Sequence, residues 1–114
     1  MALSRTDIVR GLQGIVGAPN LVTDPEELKR SSFDRLRLYE EVHGVYSRPV
    51  PAAVVKARST DDVAGVLEFA NRNGINVIAR TGRTATEGGL ETAVPDSIVL
   101  DGSGMNRILK VDPY

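Results

Sequence analysis

The sequence predicts an α+β fold in which a helical leader precedes a β-α-β-β unit of the α/β kind. Three observations predict it. Ile8, Leu12, Ile15 and Val16 fall at i, i+4, i+7 and i+8, the spacing of one apolar helix face. Beyond Pro51, short apolar runs bracket a second stretch of helical spacing. The second of those runs leads into a loop punctuated by glycine, from Arg80 to Leu90.

Composition narrows the function before any motif is read. The 114 residues are 41% hydrophobic and 25% charged, ordinary for a globular domain. Fourteen Lys and Arg stand against fifteen Asp and Glu. That balance lacks the basic excess of a general nucleic-acid or acidic-membrane binder. Three Tyr, two Phe and no Trp leave too few rings for a base-stacking platform. With no Cys there are no disulfides, thiolate zinc sites or cysteine nucleophiles. Imidazole chemistry would have to run through His43 alone, and it has no metal or nucleophile partner nearby in the sequence. A surface or packing role is expected for it. The polar start is no secretory signal, and no run approaches the roughly 20 apolar residues that span a bilayer. A cytoplasmic location is the expectation.

Each element has local chemistry behind it. Ser4 caps the first helix with Asp7 as the acidic half of a capping box, and Gly17 ends it. Gly11 and Gly14 each cost that helix about 1 kcal/mol relative to Ala, so it relies on packing. Asp24 caps a second, short helix, with Pro25 at its first position and Glu26 and Glu27 at its positive end. Ser31 to His43 reads as helix or irregular chain, and Glu40-Glu41, like Glu26-Glu27, as a solvated face. Gly44 and Pro49-Val50-Pro51 break the pattern, which divides the chain into a leader, 1–48, and a second unit, 49–114.

In the second unit, Ala52 to Ala57 is a buried-type strand. Ser59 and Asp62 cap a helix whose inward face is Val63, Val66, Leu67 and Ala70, with Gly74 as its stop. Ile75 to Ala79 is the next strand, completing a parallel crossover. Ser97 to Asp101 is a third strand, with Asp101 capping a turn at Gly102, and Met105 is assigned to the core. Ile108 to Val111 begins a fourth strand just as the sequence stops. The chain is therefore expected to be part of a longer fold, with open sheet edges that pair copies into a dimer.

The loop Arg80-Thr81-Gly82-Arg83-Thr84-Ala85-Thr86-Glu87-Gly88-Gly89 has what a phosphate cradle requires. Glycines let the backbone approach an anion, threonine hydroxyls can donate to phosphate oxygens, and Arg80 or Arg83 can add charge. It follows the carboxyl end of a strand, where open α/β sheets place ligands. The same composition also serves an ordinary polar loop. Glu87, the one acid in it, is expected outward or paired with an arginine. No G-x-x-x-x-G-K-[ST] occurs, and Gly102-Ser103-Gly104 is followed by Arg107 where a dinucleotide fingerprint needs its third glycine. A tight turn is expected there.

Order and residues together resemble the FAD-binding domain of the vanillyl-alcohol oxidase/p-cresol methylhydroxylase flavoproteins (PCMH-type), and within them the glycolate/D-lactate dehydrogenase group. The resemblance rests on Pro51-Ala52-Ala53-Val54-Val55, Ser59-Thr60-Asp61-Asp62-Val63 and Ile75-Asn76-Val77-Ile78. It extends to Ile98-Val99-Leu100-Asp101 with Met105-Asn106-Arg107-Ile108-Leu109 and, upstream, to Asn20-Leu21-Val22-Thr23-Asp24 and Asp34. That family's pyrophosphate loop reads R-G-G-G-T-S-x-x-G-G, and Arg80, Gly82, Thr84, Gly88 and Gly89 keep its frame. Thr81 and Arg83 replace two glycines. Thr81-Gly82-Arg83 is closer to the alkylphenol-oxidising branch, without the aromatic that follows there. Arg83 either pairs with the pyrophosphate or crowds it. Thr84 stands where flavin-linked members carry histidine.

The resemblance implies noncovalent FAD held by Arg80, Thr81, Gly82, Arg83, Thr84, Ala85, Thr86, Gly88 and Gly89. It implies part of an FAD-linked oxidoreductase acting on a small 2-hydroxy acid, inactive by itself, with substrate and catalytic residues supplied by the rest of such an enzyme. An alkylphenol-oxidase or alkyldihydroxyacetonephosphate-synthase type of flavoenzyme is the alternative, and a non-catalytic α/β binding module is the alternative of another class. No catalytic residue is assigned, and no metal is expected.

Overall fold

Ser4 opens the first helix through a reciprocal pair: its hydroxyl accepts from the Asp7 amide at 3.2 Å and donates to the Asp7 carboxylate at 2.8 Å. Helix α1 then runs Arg5–Val16 and stops at Gly17, whose φ of +84° suits glycine. The computed structural model describes residues 3–33, 48–85 and 89–114. His43, Glu40, Glu41, Gly44 and Asp34 lie outside the described residues, as do Thr86, Glu87 and Gly88. Asp24 caps α2 (Pro25–Arg30), accepting from the Glu27 amide at 3.1 Å. Ser59 caps α3 (Thr60–Asn73), accepting from Asp62 at 3.1 Å, and Gly74 closes it in the left-handed region.

Four strands form one mixed sheet: β1 (Leu21–Val22), β2 (Ala53–Lys56), β3 (Val77–Arg80) and β4 (Ile98–Asp101), in the order β1-β2-β4-β3. β1 is antiparallel to β2; the pairs β2–β4 and β4–β3 are parallel. The crossover through α3 therefore leaves room for one strand between β2 and β3, and β4 fills it. All four residues of β4 are buried, as befits a central strand covered on both faces.

The side chains alternate between two cores. On one face Ala53, Val55, Ile98 and Leu100 meet Ile8, Leu12 and Val16 of α1 and Val66 and Ala70 of α3. On the other, Val54, Ile78 and Val99 meet Leu28 of α2 and Leu90. The two leader helices thus cover opposite faces of the sheet, and β1 between them extends its border.

The two α1 glycines have opposite meanings. A Cβ on Gly11 would lie 2.5 Å from the Phe69 ring of α3, whereas one on Gly14 would meet nothing within 4 Å among the described residues. Gly11, together with Gly65 of α3, whose Cβ would lie 2.9 Å from Ile15, lets α1 and α3 approach. Gly14→Ala is expected to stabilise the fold by about 1 kcal/mol, the helix-propensity difference. Gly11→Ala is expected to destabilise it by about 1–2 kcal/mol, because overpacking outweighs that gain. Urea unfolding of the two variants checks the difference in sign.

Several sequence expectations fail for identifiable reasons. Leu67 is 46% exposed, flanking the α3 stripe rather than facing in. Met105 is 43% exposed and not a core residue, because the chain leaves the sheet at the turn after β4. The expected fourth strand does not form: residues 105–114 carry no strand, and Ile108, Leu109 and Val111 are 76–80% exposed. A β-branched run needs a neighbour to bond with, and among the described residues none lies beside it. Among the described residues no helix is long and apolar enough to cross a membrane.

Candidate functional site

Because β2, β4 and β3 are parallel, their carboxyl ends share one edge of the sheet. Hydrogen bonds continue past the strands there, from Ala57 N to Asp101 O at 3.0 Å and from Gly102 N to Arg80 O at 2.9 Å. The chain after β4 turns at once: Asp101 Oδ1 accepts from the Ser103 amide at 2.8 Å, and Met105 N donates to Gly102 O at 2.9 Å. This is the turn expected at Gly102-Ser103-Gly104. Beside it runs the loop after β3. A Cβ on Gly102 would lie 3.4 Å from the Thr81 methyl, so the two segments are neighbours.

Thr81, Gly82, Arg83 and Thr84 are exposed at this edge, while Ala85 packs inward against the core under α2. Among the described residues a Cβ on Gly82 would meet only the Thr84 methyl, at 3.7 Å. Among the described residues no hydrogen bond engages the amides of Gly82, Arg83 or Thr84. Gly89 is exposed, with room for ordinary contact with Ala85. Thr86 and Gly88, the other two loop residues expected to bind, lie outside the described residues.

Arg83 holds φ at +55°, the left-handed region that favours glycine. This is one of the two positions where the family loop has glycine, so the backbone keeps the shape the glycine would allow, at a cost of about 1–2 kcal/mol. Its guanidinium is 57% exposed and lies 3.7 Å from Glu27 of α2, a loose contact in solvent. It is the loop's cation at the surface.

Arg80 is placed differently from the sequence expectation. Its side chain is 5% exposed and turned into the fold. Nε and Nη2 donate to Asp101 Oδ2 at 3.1 and 2.8 Å, and Nη1 donates to Ser31 Oγ at 3.1 Å. Its charge is met by a buried carboxylate, which removes it as the phosphate's counter-charge. Burial raises the Asp101 pKa, but hydrogen bonds from Ser103 and Arg80 and the Arg80 charge outweigh it, holding the carboxyl below its ordinary value. The sequence reading assigned Asp101 only to a turn and missed its bond to Arg80. The available signal was opposite charge at the ends of two strands, but it becomes a contact only in the register Arg80↔Asp101.

Among the described residues no group of three His, Asp or Glu could hold a metal. What the described part of the loop offers is an open glycine backbone, exposed threonines and the exposed Arg83 guanidinium. Those donors fit the pyrophosphate of FAD: they are hydrogen-bond donors to an anion, and among the described residues only the Thr84 methyl lies within 4 Å of a Cβ placed on Gly82.

The comparisons with known proteins agree with this architecture. Residues 51–114 match the family described as FAD binding domain, and the chain belongs to that family, the PCMH-type domain of the flavoproteins. It is 54% identical over 112 residues to the uncharacterized FAD-linked oxidoreductase YgcU of Escherichia coli K12, covering 98% of this chain and 23% of that protein. It is 34% identical over 89 residues to the mitochondrial D-2-hydroxyglutarate dehydrogenase of Bos taurus, covering 78% of this chain and 15% of that one. The chain thus spans less than a quarter of the length of these relatives. Among solved structures, an alkyldihydroxyacetonephosphate synthase superposes with a TM-score of 0.80 at 22% identity, over 97% of this chain and 21% of that one. A p-cresol methylhydroxylase does so with a TM-score of 0.70 at 24% identity, over 95% and 20%. These last two likenesses are of fold.

Proposed function

We propose that this chain holds the pyrophosphate of FAD, without a covalent link, as part of a flavoenzyme that oxidises a small 2-hydroxy acid. The observation that carries the reading is the open backbone at Gly82, where among the described residues no hydrogen bond engages the amides of Gly82, Arg83 or Thr84, with the Arg83 guanidinium beside it. The amides of Gly82, Arg83 and Thr84 would donate to the phosphate oxygens, helped by the hydroxyls of Thr81 and Thr84. Arg83 supplies the charge, exchanging its loose contact with Glu27 for the phosphates; Arg80 acts from beneath. FAD, when bound, supplies the redox chemistry by accepting a hydride equivalent from the substrate. Thr84 carries no imidazole for a covalent bond to flavin. The 2-hydroxy acid is favoured by the similarity to D-2-hydroxyglutarate dehydrogenase. In this reading residues 49–114 form the pyrophosphate-binding part and 1–48 the leader that backs it.

Gly82→Val in the full-length protein tests the reading. The fold has room for the added Cβ, so its melting temperature without ligand is expected to stay within a degree or two of the parent. Flavin absorbance after purification is expected to vanish. Added FAD at a hundred times its Kd should stabilise the parent by about 2.7 kcal/mol and the variant not at all. Acid precipitation of the parent is expected to leave the flavin in the supernatant. Equal flavin content in both proteins would overturn the cradle, and a colourless parent that FAD does not stabilise would point to a non-catalytic module.

A further inference from the structure

Arg80 sits at the root of the loop, and its three side-chain bonds reach two different parts of the chain. Asp101 belongs to the neighbouring strand β4 and takes both Nε and Nη2. Ser31, at the C-terminal end of α2 in the leader, takes Nη1. Both partners are buried, Ser31 at 4% and Asp101 at 4% exposure. The same helix touches the loop a second time through Glu27 and Arg83. Beneath, Leu28 of α2 shares a core with Ala85, inside the loop, and Leu90, at its end. Ser32 adds a backbone tie, its carbonyl accepting from the Thr92 amide at 3.1 Å.

We propose that Ser31 and Asp101 are positioning residues for the phosphate loop, acting through the Arg80 guanidinium, so that leader helix α2 is the wall against which the loop is set. This rests on the FAD-pyrophosphate reading and deepens it. A loop whose amides must converge on an anion gains affinity when its shape is fixed before binding. Gly82, with no side chain, cannot anchor itself, and Thr81 to Thr84 are exposed. The planar guanidinium can join three segments at fixed angles: Asp101 fixes it to the sheet, and Ser31 fixes its remaining arm to the leader.

Ser31→Ala tests this with a built-in control. Ser32 is also buried, but its hydroxyl donates to Leu28 O within the leader, and among the described residues the arginine's bonds go to Ser31 and Asp101. In Ser31→Ala the backbone order parameters of Thr81 to Ala85, measured by nitrogen-15 relaxation without FAD, are expected to fall from the rigid range near 0.85 toward 0.6 or less. Those of β2 and β4 are expected to stay unchanged. The Kd of the full-length protein for FAD is expected to rise about tenfold, with Ser31→Thr, which keeps the hydroxyl, staying near the parent. In Ser32→Ala loop order and affinity are expected to match the parent. Unchanged loop order in Ser31→Ala, or an equal loss in Ser32→Ala, would overturn the proposal. The relaxation measurement contains no flavin, so loosening of the loop in a protein that takes up no FAD would uphold the positioning role and reject the cofactor reading.

Discussion

Asp101→Asn is expected to destabilise the fold by about 3–5 kcal/mol at neutral pH, the range for removing one partner of a buried ion pair. The asparagine can still cap the turn at Ser103. What it cannot do is neutralise Arg80, whose guanidinium would be left charged and 5% exposed between β3 and α2. Urea unfolding at pH 7 measures the loss, and a loss under 1 kcal/mol would contradict the assignment. The pH dependence gives a second check. The folded-state pKa of Asp101 is lowered, so its contribution is complete above the unfolded value of about 3.9 and disappears as pH falls through the lower folded value. The stability gap between parent and variant should therefore be constant from pH 5 to 7 and close below pH 4.

Leu12→Ala is expected to cost about 3–4 kcal/mol, in line with leucine truncations in closed cores. Leu12 has no exposed surface and shares its core with Val55, Val66, Ile98 and Leu100. The more informative outcome concerns cooperativity. Although a sequence boundary falls at Pro49-Val50-Pro51, α1 packs on α3 and β2, and β1 bonds to β2. The helix signal in circular dichroism and the amide protection of β4 are expected to be lost in one transition, shifted together in the variant. Separate transitions would mean that the leader folds by itself.

Much of this fold is legible in the sequence because its signals are local. Ser4 with Asp7, Asp24 with Glu27 and Ser59 with Asp62 are caps decided within four residues, and the structure shows all three bonds. The apolar stripe of α1 is equally local. Strand order is not. That β4 enters between β2 and β3 depends on a pairing across more than twenty residues, and the crossover pattern alone is silent on it. The site divides in the same way. Gly82 and Arg83 were readable as loop chemistry, but Arg80 could not be separated from them by type. Its burial follows from strand register and from Ser31, 49 residues away. The strand expected at Ile108 to Val111, which the structure lacks, is the converse case: these residues have the composition of a strand, and composition supplies no hydrogen-bonding neighbour.

The position of β4 also sets the order in which the molecule can be assembled. Among the described strands β4 comes last in sequence order and lies inside the sheet between β2 and β3, so those two have no shared partner until residue 101 has been made. During synthesis α1, α2 and the crossover helix precede it, so the parts of their apolar faces that meet Ile98, Val99 and Leu100 stay uncovered until β4 arrives. The rate-limiting event should be the docking of β4, a long-range closure of the slow kind. A chaperone protecting this domain would have the most to do in the interval between β3 and β4.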